Sequence, residues 1–241
     1  VSAGAWSSYD GDYLRKAAYD KMEEFGYIEI HDVTSQWGVF AIAGPKSRDL
    51  LKSVVNEADV QSALSNKRFP WLSSKTIEIG MCPVNAIRVA YTGELGWELH
   101  HPIEMQNYLW DRLLLAGPEY GLKLVGARAQ NWLRQEKSYR AFGTELGRDA
   151  TPLEADLSRF IDLEKEFLGK EGMEKTVVRA KCVTLLIDGP KDADPWGREA
   201  LYLENGTKVG RLTSGGYSVV FNKSIGMGYI RPDLAQEGQK L

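Results

Sequence analysis

Between Ser73 and His100 the chain places three strand-like runs in succession, at residues 76–79, 84–91 and 95–100, with Thr92-Gly93 as a turn and no helical period between them. The regular strand–helix–strand rhythm of a doubly wound parallel sheet is absent here, so this part of the chain is expected to build an α+β domain on antiparallel strands. Helical periods flank it. Leu14, Ala17, Ala18, Lys21, Met22 and Phe25 recur at spacings of three and four and predict a first helix over 13–25. Residues 27–34 and 38–43 read as two strands around Ser35-Gln36-Trp37, and Gly44-Pro45 is expected to open a helix with proline at its first position. Two further helices are expected, over 104–116, ended by Gly117-Pro118, and over 126–139.

The texture changes after Lys170. Short β-rich runs at 178–187, 200–203, 209–213, 218–221 and 225–230 alternate with Gly-, Pro- and Asn-rich turns such as Asp188-Gly-Pro and Glu204-Asn-Gly, the pattern of a small β-barrel. The expected architecture is therefore an antiparallel-sheet domain over residues 1–172 followed by a C-terminal barrel over 173–241, the linker lying in 169–176. A chain of 241 residues is long enough to bury a full core without staples. The opening Val-Ser-Ala-Gly without Met and the abrupt Gln-Lys-Leu end predict a piece of a longer protein, and no secretory signal is visible, which predicts a protein that is not secreted.

Charge and cysteine content narrow the chemistry. With 33 acidic against 30 basic side chains and no long basic run, the electrostatic footprint of a nucleic-acid binder is missing. No apolar stretch approaches the roughly 18 residues of a membrane span. The two cysteines, Cys82 and Cys182, cannot make a four-ligand framework by themselves, and three histidines leave little for a His-rich site, so structural zinc is not expected. Dinucleotide, P-loop, zinc-protease and serine-hydrolase motifs are all absent. A Cys82–His100 nucleophile pair is set aside, because a lone cysteine beside a strand is habitually a small buried apolar residue.

One segment stands apart, Arg88-Val-Ala-Tyr-Thr-Gly-Glu-Leu-Gly-Trp-Glu-Leu-His100. Alternation sends Leu95, Trp97 and Leu99 to one face of a strand and Glu94, Glu98 and His100 to the other, with Gly96 leaving space on that second face. An acceptor-only carboxylate suits a flat heteroaromatic edge that presents two adjacent N–H donors, and Glu98 is the better placed for it. The same pattern fits two glutamates on a solvated hairpin face, and alternation alone does not separate the two readings. Arg128 and Arg134, six apart on a helix, read as ordinary salt-bridging arginines.

Tyr91-Thr-Gly-Glu-x-Gly-x-Glu98, Leu133-Arg-x-Glu-Lys-x-Tyr139-Arg-x-x-Gly143, Thr151-Pro-Leu-Glu-Ala155 and Phe167-x-Gly-Lys170, in this order, resemble the signature of the aminomethyltransferase superfamily, the glycine-cleavage T-protein and its relatives. Glu136-Lys-Ser-Tyr-Arg-Ala-Phe-Gly and Thr213-Ser-Gly-Gly-Tyr-Ser218 look closest to the folate-binding C-terminal half of dimethylglycine and sarcosine dehydrogenases. The resemblance implies a tetrahydrofolate-binding module that accepts a one-carbon unit from a small methylated amine and forms 5,10-methylenetetrahydrofolate. It implies that FAD belongs only to an upstream domain, with that flavin-containing domain as a partner in the full-length protein, and a location in the cytoplasm or the mitochondrial matrix.

By the same resemblance Glu98 holds the pterin edge, Tyr91 is a second folate contact, and His100 is expected among the cofactor-binding residues. A two-residue hairpin would set Tyr91 and Glu98 roughly 13 Å apart at about 3.3 Å per residue. Gln130 stands where the T-protein has an arginine and is followed by Asn131 in place of aspartate, as in the dehydrogenase branch. Arg159 occupies a folate-contacting position that is usually aromatic, and Ser2 and Ala3 match a stretch lining the folate site. The family's catalytic carboxylate lies upstream of the segment matched by Val1, so no catalytic residue is assigned. A stand-alone aminomethyltransferase or folate-dependent demethylase is the alternative enzyme. A non-catalytic folate-binding iron–sulfur assembly factor is the alternative of another class, but its cysteine-containing motif is replaced by Glu166-Phe-Leu-Gly-Lys-Glu171.

Overall fold

The computed structural model describes residues 6–190 and 194–241. In chain order the elements are α1 (Ser7–Asp20), α2 (Met22–Phe25), β1 (Trp37–Ala43), α3 (Ser47–Val54), α4 (Val60–Ala63), β2 (Ser74–Ile79), β3 (Cys82–Ile87), β4 (Gly96–Pro102), α5 (Gln106–Tyr120), α6 (Ala127–Glu136), α7 (Lys170–Glu174), β5 (Lys181–Ile187), β6 (Ala200–Tyr202), β7 (Lys208–Ser218) and β8 (Lys223–Ile230). The fold is α+β, with two four-stranded sheets in the orders β1-β4-β3-β2 and β5-β8-β7-β6. Among the described residues no helix is long and apolar enough to cross a membrane.

Two compact units divide the chain. The first comprises the residues up to Ile42, Arg48–Arg88 and Trp97–Tyr120. Its hairpin β2–β3 turns through Gly80-Met81 between the paired Ile79 and Cys82, and Gly80 takes the left-handed φ of 59° that such a tight turn requires. Alternation then buries Ile77, Ile79, Cys82, Val84, Ala86, Trp97 and Leu99 on one side of the sheet, and Leu50, Leu51, Leu64, Leu109 and Leu113 of the same unit are buried as well. This is the core that fixes the orientation of β4.

The second unit comprises Ala43–Ser47, Val89–Gly96 and Gly121–Leu241. The long β7 pairs antiparallel with β8 from Gly210↔Ile230 to Ser218↔Lys223, with a bulge between Leu212 and Ser214, and β5 pairs with β8 along the whole length of β5. Val209, Leu212, Ile225, Met227, Ile230 and Cys182 form its apolar centre. Burial pushes the Cys182 thiol up to about 11, so it stays protonated at ordinary pH.

Several expected elements differ. Residues 27–34 form no strand: Tyr27, exposed by 78%, and its neighbours have no sheet to join. The helix expected over 13–25 is broken at Lys21, and of its apolar stripe only Ala18 is buried. Gly44-Pro45 forms a turn ahead of α3, because Ser47 N–H donates to the Gly44 carbonyl and the helix starts only at Ser47. Gly117-Pro118 does not end α5, which runs on to Tyr120 with Pro118 inside it. Finally, residues 209–213 belong to a longer β7 that continues through Gly215-Gly216, where the absent side chains admit Pro195 and Trp132, and ends at Ser218, so that 219–221 form a turn in place of the expected strand.

Candidate functional site

On β4, Trp97, Leu99 and His101 are fully buried, and Glu98 and His100 share the opposite face. The indole of Trp97 sets this polarity. It packs edge-on against Phe69 at 6.2 Å, with the guanidinium groups of Arg48 and Arg88 at 5.8 and 6.0 Å from its ring. Turning β4 over would bring that ring into water. Glu98 lies across from Ile87 and His100 across from Asn85 on β3. The Nε2 of His100 is 3.1 Å from Oε2 of Glu98, with the histidine side chain 15% and the glutamate side chain 42% exposed. No second hydrogen bond to the carboxylate is made among the described residues, so its remaining acceptor capacity faces outward. Gly96, expected to leave space on this face, is itself buried within the strand.

The connection from β3 to β4 is longer than a two-residue hairpin. β3 leaves β4 after Ile87↔Glu98, because Arg88 N–H donates to Ser73 and its carbonyl accepts from Leu72 N–H, while its guanidinium is drawn to the Phe69 carbonyl at 2.6 Å. The Tyr91-Thr-Gly-Glu segment is thereby a turn, with Gly93 at φ 74° against Lys137, where any Cβ would collide. In this turn the Tyr91 ring stacks on Tyr139 with centroids 6.2 Å apart, and its hydroxyl donates to the Arg140 carbonyl at 2.9 Å. Burial pushes the Tyr91 phenol up, and that group stays a neutral donor at ordinary pH. The spacing of 13 Å expected from an ideal hairpin therefore has no structural basis.

The remaining expected residues are dispersed. Gln130 lies half-buried on α6. Arg159 is exposed in a short 3-10 turn, its guanidinium over the Phe160 ring at 4.9 Å. Ser2 and Ala3 lie outside the described residues. Glu98 and His100 are brought into contact; Tyr91, Gln130 and Arg159 share no hydrogen bond among the described residues.

Arg134 adds burial to the sequence reading. It is salt-bridged, as expected, but in the interior: it is 1% exposed and pairs at 2.8 Å with Glu145, which is equally buried. Its guanidinium also donates to Asn131 Oδ1, the Tyr139 carbonyl and the Ser214 hydroxyl. Burial disfavours the Glu145 charge, yet the hydroxyls of Ser214 and Thr213, the Ala141 N–H and Arg134 together hold its carboxyl below the usual range. Neither Glu145 nor the Tyr139 stacking was foreseen as a role. Their only signal was the Arg-x-Glu-Lys-x-Tyr run, which carried the resemblance without saying what the residues do. Among the described residues no group of three or more His, Cys, Asp or Glu is placed to hold a metal ion.

Comparison with known proteins now bears on this geometry. Residues 1–165 match the family model for the GCVT N-terminal domain, and residues 181–241 that for the glycine cleavage T-protein C-terminal barrel domain. The chain belongs to the glycine-cleavage T-protein family. Within that family it is 39% identical to human mitochondrial dimethylglycine dehydrogenase over 226 residues, covering 90% of this chain and 25% of the human protein. Mouse mitochondrial sarcosine dehydrogenase is 34% identical over 233 residues, covering 95% and 24%. An aminomethyltransferase of Caldanaerobacter subterraneus is 34% identical over 219 residues, covering 89% and 56%. The chain thus spans about a quarter of these dehydrogenases and little more than half of the bacterial transferase. The crystal structure of the glycine cleavage system aminomethyltransferase T from Bartonella henselae superposes with a TM-score of 0.76 at 23% identity, covering 97% of this chain and 60% of that one, which speaks for the fold alone. The α+β arrangement with a C-terminal barrel domain is thus the T-protein-family fold.

Proposed function

We propose that this T-protein-family chain is a tetrahydrofolate-binding one-carbon transfer module, in which Glu98 accepts two parallel N–H donors from the pterin edge. The observation that carries the reading is the placement of Glu98: a carboxylate with outward acceptor capacity, held from one side by His100, on a strand whose other face is locked by buried Trp97. The donor set fits the ligand, because an ionised carboxylate offers acceptors only and a 2-amino-4-oxo ring edge offers matching donors. Tyr91 is proposed as a second folate contact, His100 as the group that orients Glu98, and Gln130, Arg159, Ser2 and Ala3 as further contacts, Arg159 toward the glutamate tail.

Folate bound in this way accepts the carbon released from an N-methyl amine such as dimethylglycine or sarcosine and becomes 5,10-methylenetetrahydrofolate. The proposed donors follow from the two dehydrogenases named above and from Gln130 standing in place of the T-protein arginine. On this reading residues 1–172 bind the folate and 173–241 form the barrel. FAD is held by another domain of a longer protein, in the cytoplasm or mitochondrial matrix. The proton acceptor of the transfer step is not assigned to any residue of this chain. Equilibrium titration with tetrahydrofolate, for the chain as it stands and for Glu98→Ala, tests the proposal; equal dissociation constants would remove Glu98 from the site.

A further inference from the structure

A cavity of about 680 Å³ lies wholly within the second unit, between the 143–150 turn, Glu154 and Arg179, and the strands β7 and β8. That volume is in the range of small-molecule sites. Three arginines are among its lining residues, Arg179, Arg198 and Arg211. Arg211 lies across from Ala200 on β6 and from Tyr229 on β8, so its position follows from the sheet register. Arg198 is held at the same sheet edge by backbone bonds in both directions: its N–H donates to the Leu212 carbonyl at 2.8 Å, and Leu212 N–H donates to the Glu199 carbonyl at 2.8 Å. It keeps this place despite a φ of 79°, a left-handed conformation that side-chain-bearing residues rarely adopt.

The charges around the cavity do not cancel locally. Of the carboxylates that line it, Glu145 is saturated by Arg134, the Thr144, Thr213 and Ser214 hydroxyls and the Ala141 N–H. Glu154 is saturated by the Thr151 hydroxyl and the N–H groups of Thr151 and Arg179, and it also engages the Arg179 side chain. Asp149 remains as one exposed acid. Against it stand Arg198 and Arg211, for which no acidic or hydrogen-bonding side-chain partner occurs among the described residues. Gly143 and Gly147 in the opposing turn present backbone only, and a Cβ at either would meet nothing within 4 Å. Two arginines with unspent forked donors in the lining of a cavity of ligand size match the bidentate recognition of an oxyanion.

We infer that this cavity is a binding site for a small oxyanion-bearing ligand, a phosphate or a carboxylate, held by Arg198 and Arg211, and sharing no residue with the proposed folate contacts. The test is calorimetric titration of the 241-residue chain with inorganic phosphate and, separately, with the dicarboxylate glutarate, at constant ionic strength in chloride. Saturable binding of at least one probe is expected, and the probe that saturates identifies the ligand class. Arg198→Gln and Arg211→Gln should each weaken it several-fold and the double variant at least about tenfold, while Arg68→Gln, in the first unit, leaves it unchanged. Circular dichroism confirms that each variant is folded, and the single variants decide the matter should the double variant fail to fold. Saturation by neither probe, or wild-type affinity in both folded single variants, overturns the site.

Discussion

Arg134 on α6 and Glu145 in the following turn meet at 2.8 Å with both side chains withdrawn from water. The Ser214 hydroxyl on β7 sits between them, accepting from the guanidinium and donating to the carboxylate. Thr213 adds a second hydroxyl from the same strand. One helix, one turn and one strand of the second unit are thus joined by a network in which every charge is hydrogen-bonded. Tyr139, whose carbonyl accepts from Arg134, carries the ring on which Tyr91 stacks. The network therefore supports the turn that presents Tyr91.

Removing one partner of this pair strands the other charge in the interior. Arg134→Met and Glu145→Gln are each expected to cost about 3–5 kcal/mol, measured by urea unfolding. The double variant Arg134→Met with Glu145→Leu should recover part of that loss, since no buried charge is left. Full recovery is not expected, because the Ala141 N–H and the Thr144, Thr213 and Ser214 hydroxyls lose their acceptor. Single variants as stable as the wild type would show that the pair is solvated in solution.

Acid should act through Glu154. Burial opposes its ionisation, but the N–H groups of Thr151 and Arg179, with the Arg179 guanidinium and the Thr151 hydroxyl, outweigh it and bring the carboxyl from 4.5 to about 2. A folded-state value below the unfolded one means that this stabilisation is fully present above about pH 4.5 and is lost progressively as pH falls toward 2. Urea midpoints measured across that window should fall steeply for the wild type and less steeply for Glu154→Gln. Some slope should persist in the variant, since Glu145 is held low as well. Identical slopes would remove Glu154 from the acid response.

The residues that were legible in the sequence are those whose neighbours are set by local period. Alternation across 95–100 put Trp97 and Leu99 on one face and Glu98 and His100 on the other, because a strand's faces repeat every two residues whatever lies beyond it. Arg134 escaped the same logic: its carboxylate partner is 11 residues away and its hydroxyl partner 80, separations that carry no periodic signal. Gly215-Gly216 reads locally as a turn and is strand in the fold, since what admits glycine there is the approach of Pro195 and Trp132 from elsewhere in the chain. Arg88 has strand chemistry, but its guanidinium and backbone are claimed by Phe69, Leu72 and Ser73, which ended β3 early and opened the turn around Tyr91.

Glycine substitutions should separate close approach from mere flexibility. A Cβ at Gly216 would lie 2.2 Å from Cδ1 of Trp132, where α6 packs on β7, so Gly216→Ala must displace the indole. A loss of about 1–3 kcal/mol is expected from such overpacking. Gly172 in α7 meets nothing within 4 Å, and Gly172→Ala should instead gain about 0.5–1 kcal/mol from reduced backbone freedom. Thermal or urea unfolding of the two variants gives opposite signs if the α6–β7 contact is as tight in solution. Equal, small effects would show that Trp132 moves aside freely.

Glu98 separates binding from folding, because its side chain is 42% exposed and its one hydrogen bond is to His100 on the same strand. Removing it should alter stability by no more than about 0.5 kcal/mol. If the carboxylate holds the pterin edge, Glu98→Ala forfeits a charge-assisted pair and should weaken tetrahydrofolate binding by about 1.5–3 kcal/mol, roughly ten- to 150-fold. His100→Ala should cost less, since it takes away only the group that steadies one oxygen and leaves both acceptors in place. Fluorescence or calorimetric titrations of the three proteins give the order of affinities. A histidine variant that binds more weakly than the glutamate variant would reverse the roles, placing the imidazole against the ligand and the carboxylate behind it.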